Sequence, residues 1–477
     1  MVSISPVGIR IALPKGRFLT PTAEMLNTAG MSFDDYSTRS RQYRVRSSRF
    51  GFLSGKILQE KDIPVHVSVG NYDLGICGID WVRELKARYP VASLLEVSPL
   101  DYHDGSVFLA ASAYSKFVSL DAVNRSSQTV RIASEYPNLA TQLAAELRLR
   151  RFRVFPVWGA AEAYPPESAD LVLMWARNER DLLSQGLVPL MKLLDVDAVL
   201  VGNREALSRK DLSEVLARLS DAFRSTPPKR EEPQRDAVEQ SPGEALAQWQ
   251  SREVRLALPD GHQKTPAVDL LERAGLAVPG YSGRTLERRL LAGPEWLAVK
   301  VIRPQDMPLQ VASGHFDIAV TGQDWLTEHR SCFPASPVTE LADLGFGKVR
   351  VVAALSQDIP VNSTEELRDF VARGGLRPLR VASEYTNLAD KYLRDNHIVS
   401  YKVMPTWGAS EAFLSDDADL LVDNTQTGKT LVENGLKIIE VILRSSACLI
   451  ANTESRNDPA KRARIEAITT QLRGAVE

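Results

Sequence analysis

Residues 423–430 (DNTQTGKT) place an acid, three hydroxyls, a glycine and a cation within eight positions. They follow an apolar run, residues 418–422 (ADLLV), that reads as a buried strand. Thr425, Thr427 and Thr430 flank Gly428 and Lys429 in a tight turn. A helix over 431–434 follows and stops at Gly435. Backbone N–H groups and hydroxyls converging on one point make a cradle for a phosphomonoester. Asp423, just ahead of the turn, is placed to accept hydrogen bonds from sugar hydroxyls. The same residues also fit a plain strand–turn–helix connection with a threonine cap, so the turn alone leaves both readings open.

The elements that would position this turn occur twice. Residues 10–16 (RIALPKG) recur as 255–261 (RLALPDG), and 73–78 (DLGICG) as 317–322 (DIAVTG). Residues 131–139 (RIASEYPNL) recur as 380–388 (RVASEYTNL), and 158–162 (WGAAE) as 407–411 (WGASE). Matching blocks in one order at a nearly constant offset indicate a duplicated domain rather than a short-period solenoid. The division expected is a first copy over 1–223, a linker over 224–252 rich in charge and proline, and a second copy over 253–477. Residues 245–249 could form a short helix leading into the second copy.

Within each copy strands and helices alternate. Residues 9–13, 73–78 and 130–133 read as strands, and 20–29 and 138–147 as helices, the first capped by Gly30. Alternation of this kind argues for an α/β fold with mostly parallel sheets, whose ligands sit at the carboxyl ends of strands.

Bulk properties exclude several classes. With 58 Lys+Arg against 60 Asp+Glu there is no basic footprint for nucleic acid. No apolar run approaches the roughly 18 residues of a membrane span, and residues 1–10 lack the charged-then-apolar pattern of a secretory leader. Cys77, Cys332 and Cys448 show no CxxC spacing, so buried, reduced thiols in a cytoplasmic protein are expected. The six histidines include no i, i+4 pair, so no protein-held metal is expected. A single helix over 459–472 is expected near the C-terminus.

Residues 14–17 (PKGR), 73–78, 380–385 (RVASEY), 408–411 (GASE), 423–430 and 441–450 (VILRSSACLI) together resemble the catalytic subunit of ATP phosphoribosyltransferase, the first enzyme of histidine biosynthesis. The resemblance covers nearly the whole chain outside the linker, as two family-length copies. It implies a two-lobed α/β fold like the type II periplasmic binding proteins, with the active site in the cleft. The reaction implied joins N1 of the adenine of ATP to C1 of phosphoribosyl diphosphate and releases pyrophosphate, with Mg²⁺ carried by phosphoribosyl diphosphate and ATP. Thr425, Thr427, Gly428, Lys429 and Thr430 would hold the 5′-phosphate, and Asp423 and Glu411 the ribose hydroxyls. Lys15 and Arg17 would meet the diphosphate or the ATP phosphates as catalytic cations. Gly16, Arg39, Arg41, Ser383 and Tyr385 are the expected ATP contacts. For Ser383 and the following Glu384, helix capping is an equal alternative. Trp158 and Trp407 read as core or cleft-wall residues. Self-association or a separate regulatory subunit is further implied, whereas a histidine-binding C-terminal domain has no counterpart here.

The two copies depart from the family in complementary ways. Lys15 and Arg17 are replaced in the second copy by Asp260 and His262. The phosphate turn is replaced in the first copy by residues 174–181 (MWARNERD), where the glycine and hydroxyls are gone and Glu179 and Asp181 would repel an anion. One composite site is therefore expected, with the cradle from the second copy and the cations from the first. A second copy acting alone is the competing arrangement. A different purine-nucleotide acceptor, or a non-catalytic nucleotide sensor, are the alternatives in function.

Overall fold

The computed structural model describes residues 8–38, 43–47, 49–117, 119–225, 252–276, 278–281, 288–376, 378–408, 410–414 and 417–476. Most of the expected linker, its short helix over 245–249, and Arg39 and Arg41 lie outside the described residues.

Each copy opens on a strand buried on both faces, Ile9–Lys15 and Val254–Pro259. An apolar run of this kind is what the interior of a parallel sheet requires. Ile9–Lys15 lies parallel to Leu53–Gln59 and to Leu74–Gly78. Val254–Pro259 lies likewise between Leu297–Ile302 and Ile318–Gly322. The second lobe repeats the device. Val130–Ser134 runs parallel to Phe152–Pro156 and Leu171–Ala176. Its counterpart Leu379–Ser383 runs parallel to Tyr401–Pro405 and Leu420–Thr425.

The sheets are mixed, which corrects the expectation of mostly parallel ones. Two strands travel between the lobes of the first copy, Leu94–Ser112 and Leu187–Asn203, antiparallel to each other. They fuse both lobes into one nine-stranded sheet. In the second copy the same two paths are broken. Val338–Asp343 and Val349–Ser356 are separated by a segment with Gly345 and Gly347 at positive φ, and Leu436–Ser445 is separated from Ala447–Asn452. The result is a six-stranded and a five-stranded sheet.

The copies are packed head to tail. Ala12, Leu58, Ile63 and Val67 of the first copy's first lobe share a core with Val352, Ala382, Met404 and Phe413 of the second copy's second lobe. Reciprocally, Phe108, Ala133, Val157 and Tyr164 share a core with Ala257, Ile302, Met307 and Cys448. Continuous apolar burial across both seams makes one body of the duplicated chain.

The C-terminal helix runs over Pro459–Val476 and buries Ile465, Ile468 and Leu472 against the second copy's first lobe. Helix Ser213–Ser225 closes the first copy in the same way through Val215 and Leu219. Cys77 and Cys448 are buried, but Cys332 is exposed, contrary to the expectation for all three thiols. It falls on the last position of helix Gln323–Cys332, beyond the part of that helix that packs inward.

Candidate active site

The turn after Leu420–Thr425 is held by its own threonines. Leu420, Leu421 and Val422 are buried, which fixes the strand that leads into the turn. Gly428 adopts φ 79°, a left-handed conformation in which a Cβ would be strained. The Thr425 hydroxyl accepts from the Gly428 N–H at 2.9 Å, and the Thr427 hydroxyl from the Lys429 N–H at 3.3 Å. Helix Lys429–Glu433 follows. The Lys429 side chain points to solvent, with its Nζ 3.7 Å from Glu433. Asp423 accepts from the Asn424 N–H at 2.7 Å. Burial, reinforced by the charge of Asp423, raises Glu384 well above the ordinary carboxylate range.

The equivalent place in the first copy is filled. The indole N–H of Trp175 donates to the Asp104 carbonyl at 2.5 Å, and its ring lies 5.4 Å from the Arg17 guanidinium. Asn178 caps helix Glu179–Ser184 through the Asp181 N–H. Arg17 is turned into this same cleft. Its Nε lies 3.0 Å from Glu60 and its Nη2 2.8 Å from Asp80, a carboxylate with no exposure. A buried acid demands a cation beside it, and Arg17 answers that demand within its own copy instead of facing the second copy's turn. Gly16 takes φ 91° over Glu60.

Lys15 reaches the seam between copies. With Tyr43, Ile57, Leu58, Gln59 and Asp62 it lines a small pocket closed by Gly408 and Phe413 of the second copy. Its ammonium lies 5.6 Å from the Tyr43 ring. The Gly408 N–H donates to Glu384, which neighbours Asp423, so Lys15 and the acids beside the cradle border one seam.

The opposite seam is closed by charge. Asp260, which stands where the first copy has Lys15, is bound by Arg288 at 2.7 Å, and Arg288 reaches Glu162 at 3.4 Å. Arg303 adds a contact to Asp260 at 3.9 Å. The sign reversal at this position is thus compensated within the protein.

Ser383 and Tyr385, expected on ATP, are fully buried. The Ser383 hydroxyl donates to the Val422 carbonyl at 2.6 Å and accepts from the Tyr385 N–H at 2.9 Å. The Tyr385 hydroxyl donates to Asp324 at 2.7 Å and accepts from Asn424 at 2.8 Å. Both side chains tie strand to strand and lobe to lobe. Glu411 falls in the turn Ser410–Phe413, and its side chain lies outside the described residues.

Two residues at the seams, Lys61 and Asp62, and Arg350 within the second copy had no signal in motif reading. Lys61 places its ammonium 5.9, 5.7 and 5.2 Å from the rings of Trp81, Trp158 and Trp407. Asp62 is buried with the Trp407 backbone N–H turned towards it but no side-chain donor on either oxygen among the described residues, and burial pushes it up to about 8. Its counterpart Asp306 is satisfied by the Trp158 N–H at 3.1 Å and the Tyr164 hydroxyl at 2.8 Å. Arg350 lies beside Gly428, its Nη2 3.6 Å from where a Cβ would stand. Comparing the two copies position by position could have found these, because Phe413 replaces Tyr164, Gln305 replaces Lys61 and Ser106 replaces Arg350.

Two two-lobed α/β units, packed head to tail and carrying one intact phosphate-type turn between them, define a duplicated cleft protein. The sequence pattern of the family described as ATP phosphoribosyltransferase matches residues 59–221 and again 303–474, and the chain belongs to that family. The ATP phosphoribosyltransferase of Chlorobium phaeovibrioides is 33% identical over 231 residues, covering 47% of this chain and 72% of that one. The one from Chlorobium luteolum is 34% identical over 228 residues, 47% and 71% respectively. A solved ATP phosphoribosyl transferase complex from Thermotoga maritima aligns at 21% identity and a TM-score of 0.39, over 47% of this chain and 98% of that one.

Proposed function

We propose that the protein transfers a phosphoribosyl group from the magnesium salt of phosphoribosyl diphosphate to N1 of the adenine of ATP, releasing pyrophosphate, at one site per chain. The observation that carries this reading is the asymmetry of the two turns: glycine at positive φ with threonine hydroxyls at 425–430, and a tryptophan-filled cleft with acids at 174–181.

In this reaction the C1–O bond to pyrophosphate breaks and an N1–C1 bond forms. Adenine N1 is an unprotonated lone pair at neutral pH, so no strong base is required of the protein. The barrier lies in separating an anionic leaving group from a cationic sugar centre. Anchoring the sugar phosphate and stabilising the departing charge should therefore supply most of the rate. The 425–430 turn anchors the 5′-phosphate through its backbone N–H groups and threonine hydroxyls. Asp423, with Glu411, takes the ribose hydroxyls. Lys15 crosses the seam to meet the diphosphate. Arg17 neutralises Asp80 and Glu60 and so keeps the first copy's strands in place behind Lys15.

The reading fits a cytoplasmic enzyme opening histidine biosynthesis, in which the first copy takes the place of a neighbouring subunit. Among the described residues no helix is long and apolar enough to cross a membrane. The test is titration calorimetry with phosphoribosyl diphosphate and magnesium, followed by pyrophosphate release with ATP, ADP and AMP as acceptors. One binding event per chain and release with ATP are expected. Two equivalent events would give the first copy a site of its own. No binding would end the enzymatic reading.

A further inference from the structure

The second copy carries a row of three side chains that the first copy has exchanged for another. In the antiparallel ladder of the second lobe, Arg350 stands opposite Thr425 on one side and opposite Arg444 on the other. Directly opposed residues project to one face of a sheet, and like charges there repel. Among the described residues neither guanidinium has an acidic partner. The corresponding row in the first copy is Ala176, Ser106 and Asp195. There the Ser106 hydroxyl donates to Asp195 at 2.7 Å, and Lys192 pairs with the same acid. The hydroxyl, the cation beside it and the cation beyond it have been lost together, in the copy whose turn is filled.

Two opposed arginines without a counterion ask for an anion from outside the protein. Arg350 supplies the position, since its Nη2 lies beside Gly428 at the centre of the turn. Lys429, the cation named by the motif, points to solvent and towards Glu433. Resting on the function proposed above, we infer that Arg350, reinforced by Arg444, is the positive charge that binds the 5′-phosphate of the sugar substrate. A planar guanidinium offers paired N–H donors matched to two phosphate oxygens, which an extended lysine in water does not.

The experiment is calorimetry of the full chain with phosphoribosyl diphosphate and with ribose 5-phosphate, joined to steady-state kinetics. Arg350→Ala should weaken both ligands by about 10- to 100-fold, the range for a lost charged hydrogen-bonding group. It should raise the KM for phosphoribosyl diphosphate while leaving the KM for ATP in place, a split that general loosening of the sheet would not give. Arg350→Lys, which keeps the charge, should recover part of the affinity, and Arg444→Ala should lose less than Arg350→Ala. If the wild-type chain binds phosphoribosyl diphosphate and folded Arg350→Ala binds it within about twofold, this assignment is overturned and the proposed function stands. If the wild-type chain does not bind it, the proposed function falls and takes the assignment with it.

Discussion

The Nζ of Lys56 lies 2.8 Å from Oδ2 of Asp417, across 361 positions of sequence, and both side chains are buried. The Tyr72 hydroxyl donates to the same oxygen at 2.5 Å. The opposite seam repeats the arrangement with Lys300 and Glu167 at 2.9 Å. There burial alone would raise the acid, but Lys300 and Arg289 outweigh it and hold Glu167 at about 2. Removing one partner of a buried pair leaves an uncompensated charge. Asp417→Ala should cost about 3–5 kcal/mol in denaturant unfolding. The double change Lys56→Met with Asp417→Leu should recover much of that loss. A single variant as stable as the wild type would show that this contact does not hold the copies together.

Lys15 and Arg17 are two residues apart and should fail in different ways. Lys15→Ala should leave the melting temperature in place and lower the rate about 100-fold, as expected for a lost charge on a departing anion. Arg17→Ala should lower the melting temperature, because Asp80 and Glu60 are left buried without their cation. Loss of activity at unchanged stability in Arg17→Ala would instead place that guanidinium on substrate.

Gly428→Ala forces a Cβ into φ 79°, at about 1–2 kcal/mol of local strain. The turn should relax rather than the lobe unfold. Calorimetry should then show loss of phosphoribosyl diphosphate binding while circular dichroism is unchanged. Thr425→Val removes the oxygen that accepts from the Gly428 N–H and should act in the same direction. Full affinity in both variants would remove the turn from the site.

Asp62 sets a pH dependence. Burial pushes it up to about 8, against an ordinary value of 3.8. Between these values the folded chain holds a proton that the unfolded chain has released. The stability contributed is complete below the lower value and is lost as pH rises through the upper one, at about 1.4 kcal/mol per pH unit. Unfolding should therefore need less denaturant at about pH 8 than at about pH 6.5, and Asp62→Asn should flatten that difference. Equal slopes for the two proteins would mean that Asp62 is already ionised at neutral pH.

Much of the protein is legible from the chain itself. The duplication, the strands that open each lobe, the threonine–glycine turn and its loss in the first copy are all read from short blocks of neighbouring residues. Their local patterns are sufficient because strand burial, turn chemistry and helix capping act over a few residues. The sequence also carries the complementary exchange of Lys15 for Asp260.

The roles of individual charges were decided only in three dimensions. Arg17 and Lys15 look equivalent in the chain, yet one turns into a cleft lined by Glu60 and Asp80 and the other reaches a seam with Gly408 and Phe413. Ser383 and Tyr385 look like ligand contacts until their hydrogen bonds to Val422 and Asp324 are seen. Arg350 and Arg444 become neighbours through strand register alone. In each case the partner lies far off in sequence. What fixes a buried charge is the nearest opposite charge in a medium that screens poorly, and only packing determines which residue that is.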